Sequence, residues 1–413
     1  MLEIISNTLF KIIKPFAVRV LTKNGYPKDA IDRKCAIIPE EGFTQQDNVI
    51  MFHGVSVGEA IALENLIKTA RQEFSNSKIV MTTGTFTGQE IAKKKLGDST
   101  DLITYFPADF PCVIKKFLDK INPKLVFIAE TEIWPFFARE CKKRGIKLYV
   151  INGRISDNTF KSYNMFKAIF KYFLSFYTGV FTQSNEDNEK FLKIGANPET
   201  TKVMNNLKFD IKKPEVNFDF DKSNSRIFLV GSTHQGEDEI VLEAFKKLKE
   251  NHTDLKMILA PRHLTRTEEV KELIKKYNFT FAQRSENKAD LKNIDILLLD
   301  TLGELGKMYA FSDVSFIGGS FNKTGGHNPL ESIVFNKPVI SGPSIHNFKD
   351  IYSIIKNAQA GFVVNTPDEL YNIANKLFTD NDYYNETVKK CEKVFTEQQG
   401  ALNFVIETIK ANL

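Results

Sequence analysis

A chain of 413 residues is too long for one ordinary core, so two domains of roughly 200 residues each are expected. Its 42% hydrophobic and 26% charged residues are those of a soluble globular protein. A net charge of +5 is too modest to argue for nucleic acid, and no nucleic-acid partner is expected. Cys35, Cys112, Cys141 and Cys391 have neither metal-ligand nor disulfide-framework spacing, which fits a reducing cytosol. No small-residue cleavage site follows the first apolar residues, so no secretory signal is expected.

At the N-terminus Leu2, Ile5, Leu9, Ile12, Phe16 and Val20 recur at helical spacing. Lys11, Lys14, Arg19 and Lys23 interrupt the run, and Pro15 is expected to break it. A spanning helix needs about 20 mostly apolar residues. Residues 1–24 therefore read as a basic amphipathic segment on an anionic membrane surface. The alternative is a helix packed against the first domain.

From Asn48 onward apolar strands alternate with amphipathic helices. The strand runs begin at Val49, Lys78, Leu102, Leu125, Leu148 and Gly179. Such alternation implies a parallel sheet covered by helices on both faces. Residues 211–225 are polar, lack periodicity and read as an interdomain linker. A second alternating series starts at Ile227 and runs through Leu255, Ile294, Val314, Pro338 and Gly361. Helical patterns fill 366–379 and 384–412. The expected domains are 25–210 and 226–390, each doubly wound and Rossmann-like and facing a central cleft. Residues 391–413 form a C-terminal helix expected to pack back on the N-terminal domain. Ligands of such sheets bind beyond the C-terminal ends of the strands.

The polar residues at those ends form a short list. Gly325-Gly326-His327-Asn328-Pro329-Leu330-Glu331 follows the strand run at Val314–Ile317 and the turn Gly318-Gly319-Ser320. Glycines there let the backbone approach a ligand. The following helix would point free N–H groups and its positive dipole end at a phosphate, with Pro329 in the first turn. Glu331 would accept two hydrogen bonds from ribose hydroxyls. The bland reading is a tight turn capped by a helix. His53-Gly54-Val55-Ser56-Val57-Gly58-Glu59 lies where another strand becomes a helix. Ser56 and Glu59 fit a capping box, which competes with a catalytic role for Glu59. Glu130-Thr131-Glu132-Ile133-Trp134-Pro135 follows a third strand, and its acids could be caps. Lys208 precedes the linker and could equally be a solvated charge. Gly231-Ser232-Thr233-His234, Ala260-Pro261-Arg262-His263 and Asp300-Thr301-Leu302-Gly303-Glu304-Leu305 end strands of the second half. Arg262 has a guanidinium suited to phosphate or a base edge.

In order and spacing, these segments resemble the 3-deoxy-D-manno-octulosonic acid (Kdo) transferases of lipopolysaccharide synthesis. The resemblance spans about residues 45 to 365 and includes Gly342-Pro343 and Asn347-Phe348-Lys349-Asp350. It implies an α/β protein of GT-B fold and an inverting, CMP-Kdo-dependent glycosyltransferase. The implied acceptor is a lipid A precursor at the cytoplasmic side of the cell inner membrane. By resemblance Glu59 is the proton acceptor, and Glu130 and Lys208 stabilise the transition state. Pro261, Arg262, Leu302, Gly303, Glu304, Asn328, Pro329, Leu330 and Glu331 line the CMP site. No cofactor and no metal are expected, since CMP-Kdo is a donor substrate and its transfer on this scheme requires no metal. Residues 23–47 fit the family's usual beginning poorly, and Thr85 stands where a serine is common. The competing readings are a UDP-sugar-dependent GT-B transferase or epimerase, and a non-catalytic nucleotide-binding membrane scaffold.

Overall fold

The computed structural model describes residues 14–16, 18–23, 25–26, 31, 42–218, 220–222, 224–286 and 291–413. They form two compact units, one of residues 1–210 with 398–413 and one of residues 211–397. Most of the N-terminal membrane segment expected over 1–24 lies outside the described residues. Residues 14–16 and 18–23 are helical, and the apolar run that precedes Pro15 lies outside the described residues. Val18 and Leu21 pack with Ile31, Val113 and Phe110, while Phe16 is 69% exposed. Among the described residues no helix is long and apolar enough to cross a membrane.

The first unit carries β1 (Val49–Gly54), β2 (Lys78–Thr83), β3 (Leu102–Tyr105), β4 (Leu125–Ala129), β5 (Lys147–Gly153), β6 (Gly179–Thr182) and β7 (Thr201–Val203). Their order is β3-β2-β1-β4-β5-β6-β7, and every pair is parallel. Strands such as Val-Ile-Met-Phe in β1 are buried throughout, as sheets covered on both faces require. The chain builds outward from β1 to β3 and then returns to lay β4 on the other side of β1. The topological switch point therefore lies between β1 and β4. The register Ile50↔Leu125 to His53↔Ile128 brings the turns after these two strands out side by side.

The second unit repeats the scheme. Its strands are β8 (Arg226–Thr233), β9 (Leu255–Pro261), β10 (Phe281–Gln283), β11 (Ile296–Leu298), β12 (Val314–Ile317), β13 (Val339–Ser341) and β14 (Gly361–Val363). The order β10-β11-β9-β8-β12-β13-β14 puts its switch point between β8 and β12.

The C-terminal region differs from the sequence expectation. The helix Asn381–Gln398 stays with the second unit, where Cys391 is buried and its Sγ meets the Ala360 carbonyl. A boundary at 390/391 would cut this helix. The single helix expected over 384–412 is interrupted at Gly400, whose φ of 103° is a glycine conformation. Only the helix Ala401–Lys410 belongs to the first unit. Ala401, Val405, Ile406 and Ile409 join its core beside Ile67 and Ala70. The Asp210 carboxylate accepts hydrogen bonds from Gly400 N (2.8 Å) and Leu402 N (2.6 Å), capping this helix from the far end of the first unit. Ile409→Ala removes a fully buried side chain and is expected to cost about 2–5 kcal/mol. Urea unfolding that leaves the midpoint of the first unit unchanged would show that the helix does not share its core.

Candidate active site

The first cluster sits at the β1/β4 switch point. Ser56 caps the helix Val57–Ala62 by accepting from Glu59 N at 3.4 Å. Glu59 reaches back: Oε2 accepts from Val55 N at 2.6 Å and Oε1 from Ser56 Oγ at 2.8 Å. The capping box is thus real, and it orients a carboxylate that is only 9% exposed. A carboxylate oxygen has two acceptor sites, so each Glu59 oxygen retains one beyond the cap. Gly54 makes room for this turn, because a Cβ there would stand 3.0 Å from Glu59 Cβ. Burial raises the Glu59 pKa, helped by the negative charge of Glu130 and opposed by the hydrogen bonds from Val55 and Ser56.

Glu130 follows β4 with a φ of 62°, a left-handed conformation uncommon outside glycine. Its carboxylate accepts from Arg154 Nε at 2.8 Å. Thr131 Oγ1 donates to the Arg154 carbonyl. Sequence reasoning passed over Arg154, which comes from the turn after β5. Neither acid of Glu130-Thr131-Glu132 caps the helix Pro135–Lys143. That place is taken by Asp109, which accepts from Phe136 N (3.1 Å) and Phe137 N (2.8 Å), and whose pKa burial raises to about 6. Glu132 is left beside Glu59 and Glu130. No hydrogen bond to its carboxylate is seen among the described residues. Burial, with the like charges of Glu59 and Glu130, pushes its pKa up to about 7. No simple sequence signal separates Glu132 from a helix cap. Trp134 stands nearby against Phe106, at 5.2 Å between ring centroids, and Phe106 stacks on His53 at 4.1 Å. The buried Trp134 Nε1 has no hydrogen-bond partner.

Lys208 lies in the short 3-10 turn Leu207–Phe209. That turn is held by Asn152, whose Oδ1 accepts from Leu207 N at 3.0 Å. The Lys208 side chain forms no ion pair among the described residues. It belongs to the same unit as Glu59 and Glu130.

The second cluster sits at the β8/β12 switch point. Glu237, 1% exposed, accepts from four backbone N–H groups: His234 (2.9 Å), Gly319 (2.6 Å), Ser320 (2.8 Å) and Phe321 (2.8 Å). It ties the turn after β8 to the turn after β12, a role that sequence reasoning missed. Gly318 packs against this junction, where a Cβ would lie 2.4 Å from the Ser232 carbonyl oxygen. His234 and His327 face each other with Nε2 atoms 2.9 Å apart. Burial first, then Arg262 and the neighbouring histidines, lowers His327 to about 4. Burial lowers His234 as well. A neutral pair can share one N–H between its rings.

Arg262 follows Pro261 at the end of β9, is exposed and forms no ion pair among the described residues. Its charge opposes the burial that raises Glu331. Leu302 is 85% exposed, and Gly303 has a φ of 83° with open space where a Cβ would stand. The Glu304 side chain is committed to its own turn, since Arg284 donates to it at 2.9 Å and Thr301 Oγ1 also bonds to it. Asn328 Oδ1 accepts from Leu330 N at 3.1 Å. The helix expected after the glycines is a single turn, Leu330–Ile333, with Pro329 at its N-cap. Asn336, with a φ of 61°, and Pro338 follow directly, so the chain cannot continue as helix. One turn aligns few peptide dipoles, and an anion here would be met chiefly by individual N–H groups and Arg262 rather than by a macrodipole. Among the described residues no group of three or more His, Cys, Asp or Glu is arranged to hold a metal ion.

The profile described as "3-Deoxy-D-manno-octulosonic-acid transferase (kdotransferase)" matches residues 30–211, and that described as "Glycosyl transferases group 1" matches residues 227–394. The chain is 33% identical to a 3-deoxy-D-manno-octulosonic acid transferase of Haemophilus influenzae, over 88% of this chain and 87% of that one. This chain belongs to the Kdo transferase family. A second transferase of that name, from Rickettsia felis, is 30% identical over 81% of this chain and 72% of its own length. The fold is that of GT-B glycosyltransferases and related epimerases. A crystal structure of UDP-GlcNAc 2-epimerase from Neisseria meningitidis aligns with 88% of this chain and all of its own, at a TM-score of 0.56 and 14% identity. In this Kdo transferase family member Glu132 stays protonated to about pH 7, well above an unfolded glutamate. Folding therefore takes up a proton there, and that stability is lost as pH rises through about 7. The thermal midpoint is expected to fall across that window, and Glu132→Gln to flatten the fall. Melting curves of both proteins against pH would test it; parallel profiles would refute it.

Proposed function

We propose that this chain transfers Kdo from CMP-Kdo to a lipid A precursor (lipid IVA) in lipopolysaccharide synthesis, inverting the anomeric centre. The reaction would run at the cytoplasmic side of the inner membrane, with residues 1–24 resting on its anionic surface. The observation that carries this reading is the Glu59 carboxylate, buried, held from two sides and raised in pKa at the β1/β4 switch point.

The chemistry follows from the donor. Its anomeric carbon is a ketose centre bearing a carboxylate, and CMP is a good leaving group that needs no protonation. As CMP departs, oxocarbenium character develops and the attacking sugar hydroxyl becomes acidic. One carboxylate that takes this proton is enough, and a single displacement inverts the centre. Glu59 suits the task better than Glu132. Its hydrogen bonds favour the ionised form, while Glu132, without them, is half protonated near neutrality. A base is most effective when its pKa lies near the working pH yet leaves it ionised.

Glu130, held by Arg154, would face the positive charge that grows on the sugar. Lys208 or Arg262 would offset charge on the departing phosphate or the Kdo carboxylate. Pro261, Arg262, the Leu302-Gly303 turn and Asn328 to Glu331 would bind CMP, with Glu331 on the ribose hydroxyls. Glu304 would serve by holding its turn. This scheme needs no metal.

Glu59→Gln keeps the shape of the cap and removes the base. It is expected to lower kcat by at least ~10²-fold while CMP affinity stays unchanged, in assays with CMP-Kdo and a tetra-acylated disaccharide acceptor. Near-normal turnover would remove Glu59 as the base. Glu331→Ala is expected to weaken CMP binding roughly 10- to 100-fold, the worth of hydrogen bonds to a charged group. Unchanged affinity by isothermal titration would exclude the ribose contact.

A further inference from the structure

The helices Asp157–Met165 and Lys167–Leu174 leave apolar side chains in the open. Met165 is 71% exposed, Phe166 51%, Ile169 50% and Tyr172 58%. Large hydrophobics this exposed, within eight consecutive residues, form a patch rather than the scattered exposure normal for a soluble surface. The patch is supported from beneath, not loose. Tyr163 stacks on Phe170 at 3.9 Å, Tyr172 packs edge-on to Phe176 at 4.9 Å, and Leu174 is buried in the sheet's helical layer.

Its charge is one-sided. From Asn158 to Asn185 the chain holds Lys161, Lys167 and Lys171 and no acidic residue, and all three lysines are exposed; the one acid of the first helix, Asp157 at its start, is paired with Lys190 at 2.9 Å. Lysine stems can lie along apolar surface while their ammonium groups reach phosphates. Aromatic and aliphatic side chains ringed by lysines are what an anionic lipid surface binds. An acidic protein partner would match the charge but not so open an apolar face.

The patch also has a place relative to the chemistry. Its first helix starts at Ser156, directly after β5, at the same sheet edge as Glu59 and Glu130. Tyr163 lies close enough to Glu132 to feel its charge. We propose that residues 157–176 form a bilayer-seating surface for anionic phospholipid, additional to the N-terminal segment, which brings the membrane plane beside the Glu59–Glu130 turns. This deepens the proposed function, whose acceptor is a lipid.

The test uses the full chain and two variants, Phe166→Ser/Ile169→Ser/Tyr172→Ser and Lys161→Glu/Lys167→Glu/Lys171→Glu, each checked by thermal melting. Flotation would be measured with vesicles of phosphatidylglycerol and phosphatidylethanolamine, and with phosphatidylcholine alone. The parent should float with the anionic vesicles and not with phosphatidylcholine. Each basic residue near an anionic surface is worth about fivefold in partition, so the charge reversal, which removes three and adds three repelled charges, should cost at least about a hundredfold, and the apolar variant at least about tenfold. Both variants should keep the parent's Kdo transfer to acceptor in detergent micelles and lose it with acceptor in vesicles. Undiminished flotation of either folded variant would overturn the proposal. So would a parent dimer, seen by light scattering, that the substitutions convert to monomer without affecting flotation. Should the parent transfer no Kdo yet float in a patch-dependent way, the function falls and the surface stands.

Discussion

A glutamate that turns back onto backbone N–H groups, just past the first strand of each sheet, organises both halves of this protein. In the first unit Glu59 does so toward Val55 N and also accepts from the Ser56 hydroxyl. In the second, Glu237 does so toward His234 and the turn after β12. Both follow a glycine, Gly58 and Gly236, and both sit beside the point where the strand order reverses. Strand–helix turns leave N–H groups without partners, and burying them unpaired is costly. A carboxylate satisfies several at once. In the second unit this use is complete, since four N–H groups converge on Glu237 and its role is to hold loops. In the first unit fewer donors are engaged, so the same device leaves acceptor capacity for chemistry.

The electrostatics of the two units are opposed in a way that suits their proposed tasks. Glu59, Glu130 and Glu132 crowd one edge of the first sheet, with Arg154 as the cation seen to pair with Glu130. Burial and the neighbouring negative charges raise the pKa values of Glu59 and Glu132, which tunes a carboxylate toward proton transfer at neutral pH. The corresponding edge of the second sheet carries Arg262, Arg266 and three histidines, with Arg266 bonded to Asp238 and Glu269. Burial keeps His327 neutral, which leaves Arg262 as the permanent charge there to meet an anion.

Much of this was legible in the chain. The alternation of apolar runs announced two parallel sheets, because strands buried on both faces must be apolar throughout. The turns that matter announced themselves by small polar residues after those runs. The capping box at Ser56 and Glu59 was readable because it is local, set by a spacing of three residues. Length of a helix was less readable: the turn after Asn328 stops at Ile333 because Asn336 adopts a left-handed conformation, and the C-terminal helix breaks at Gly400. Both stops depend on backbone choices that apolar spacing does not record.

The order of elements, the doubly wound class and the family were therefore set by the sequence alone, since each rests on periodicity, local turn chemistry or motif spacing. Tertiary structure alone decided which side chains meet. Arg154 reaches Glu130 from 24 residues away, Asp109 takes a cap that Glu130 and Glu132 were placed to fill, and Glu237 gathers a loop more than 80 residues downstream. The Glu237 contacts join β8 to β12, neighbours in the sheet that lie far apart in the chain, Arg154 and Glu130 meet across the turns of the adjacent strands β5 and β4, and burial, which shifts the charges, exists only once those strands have packed.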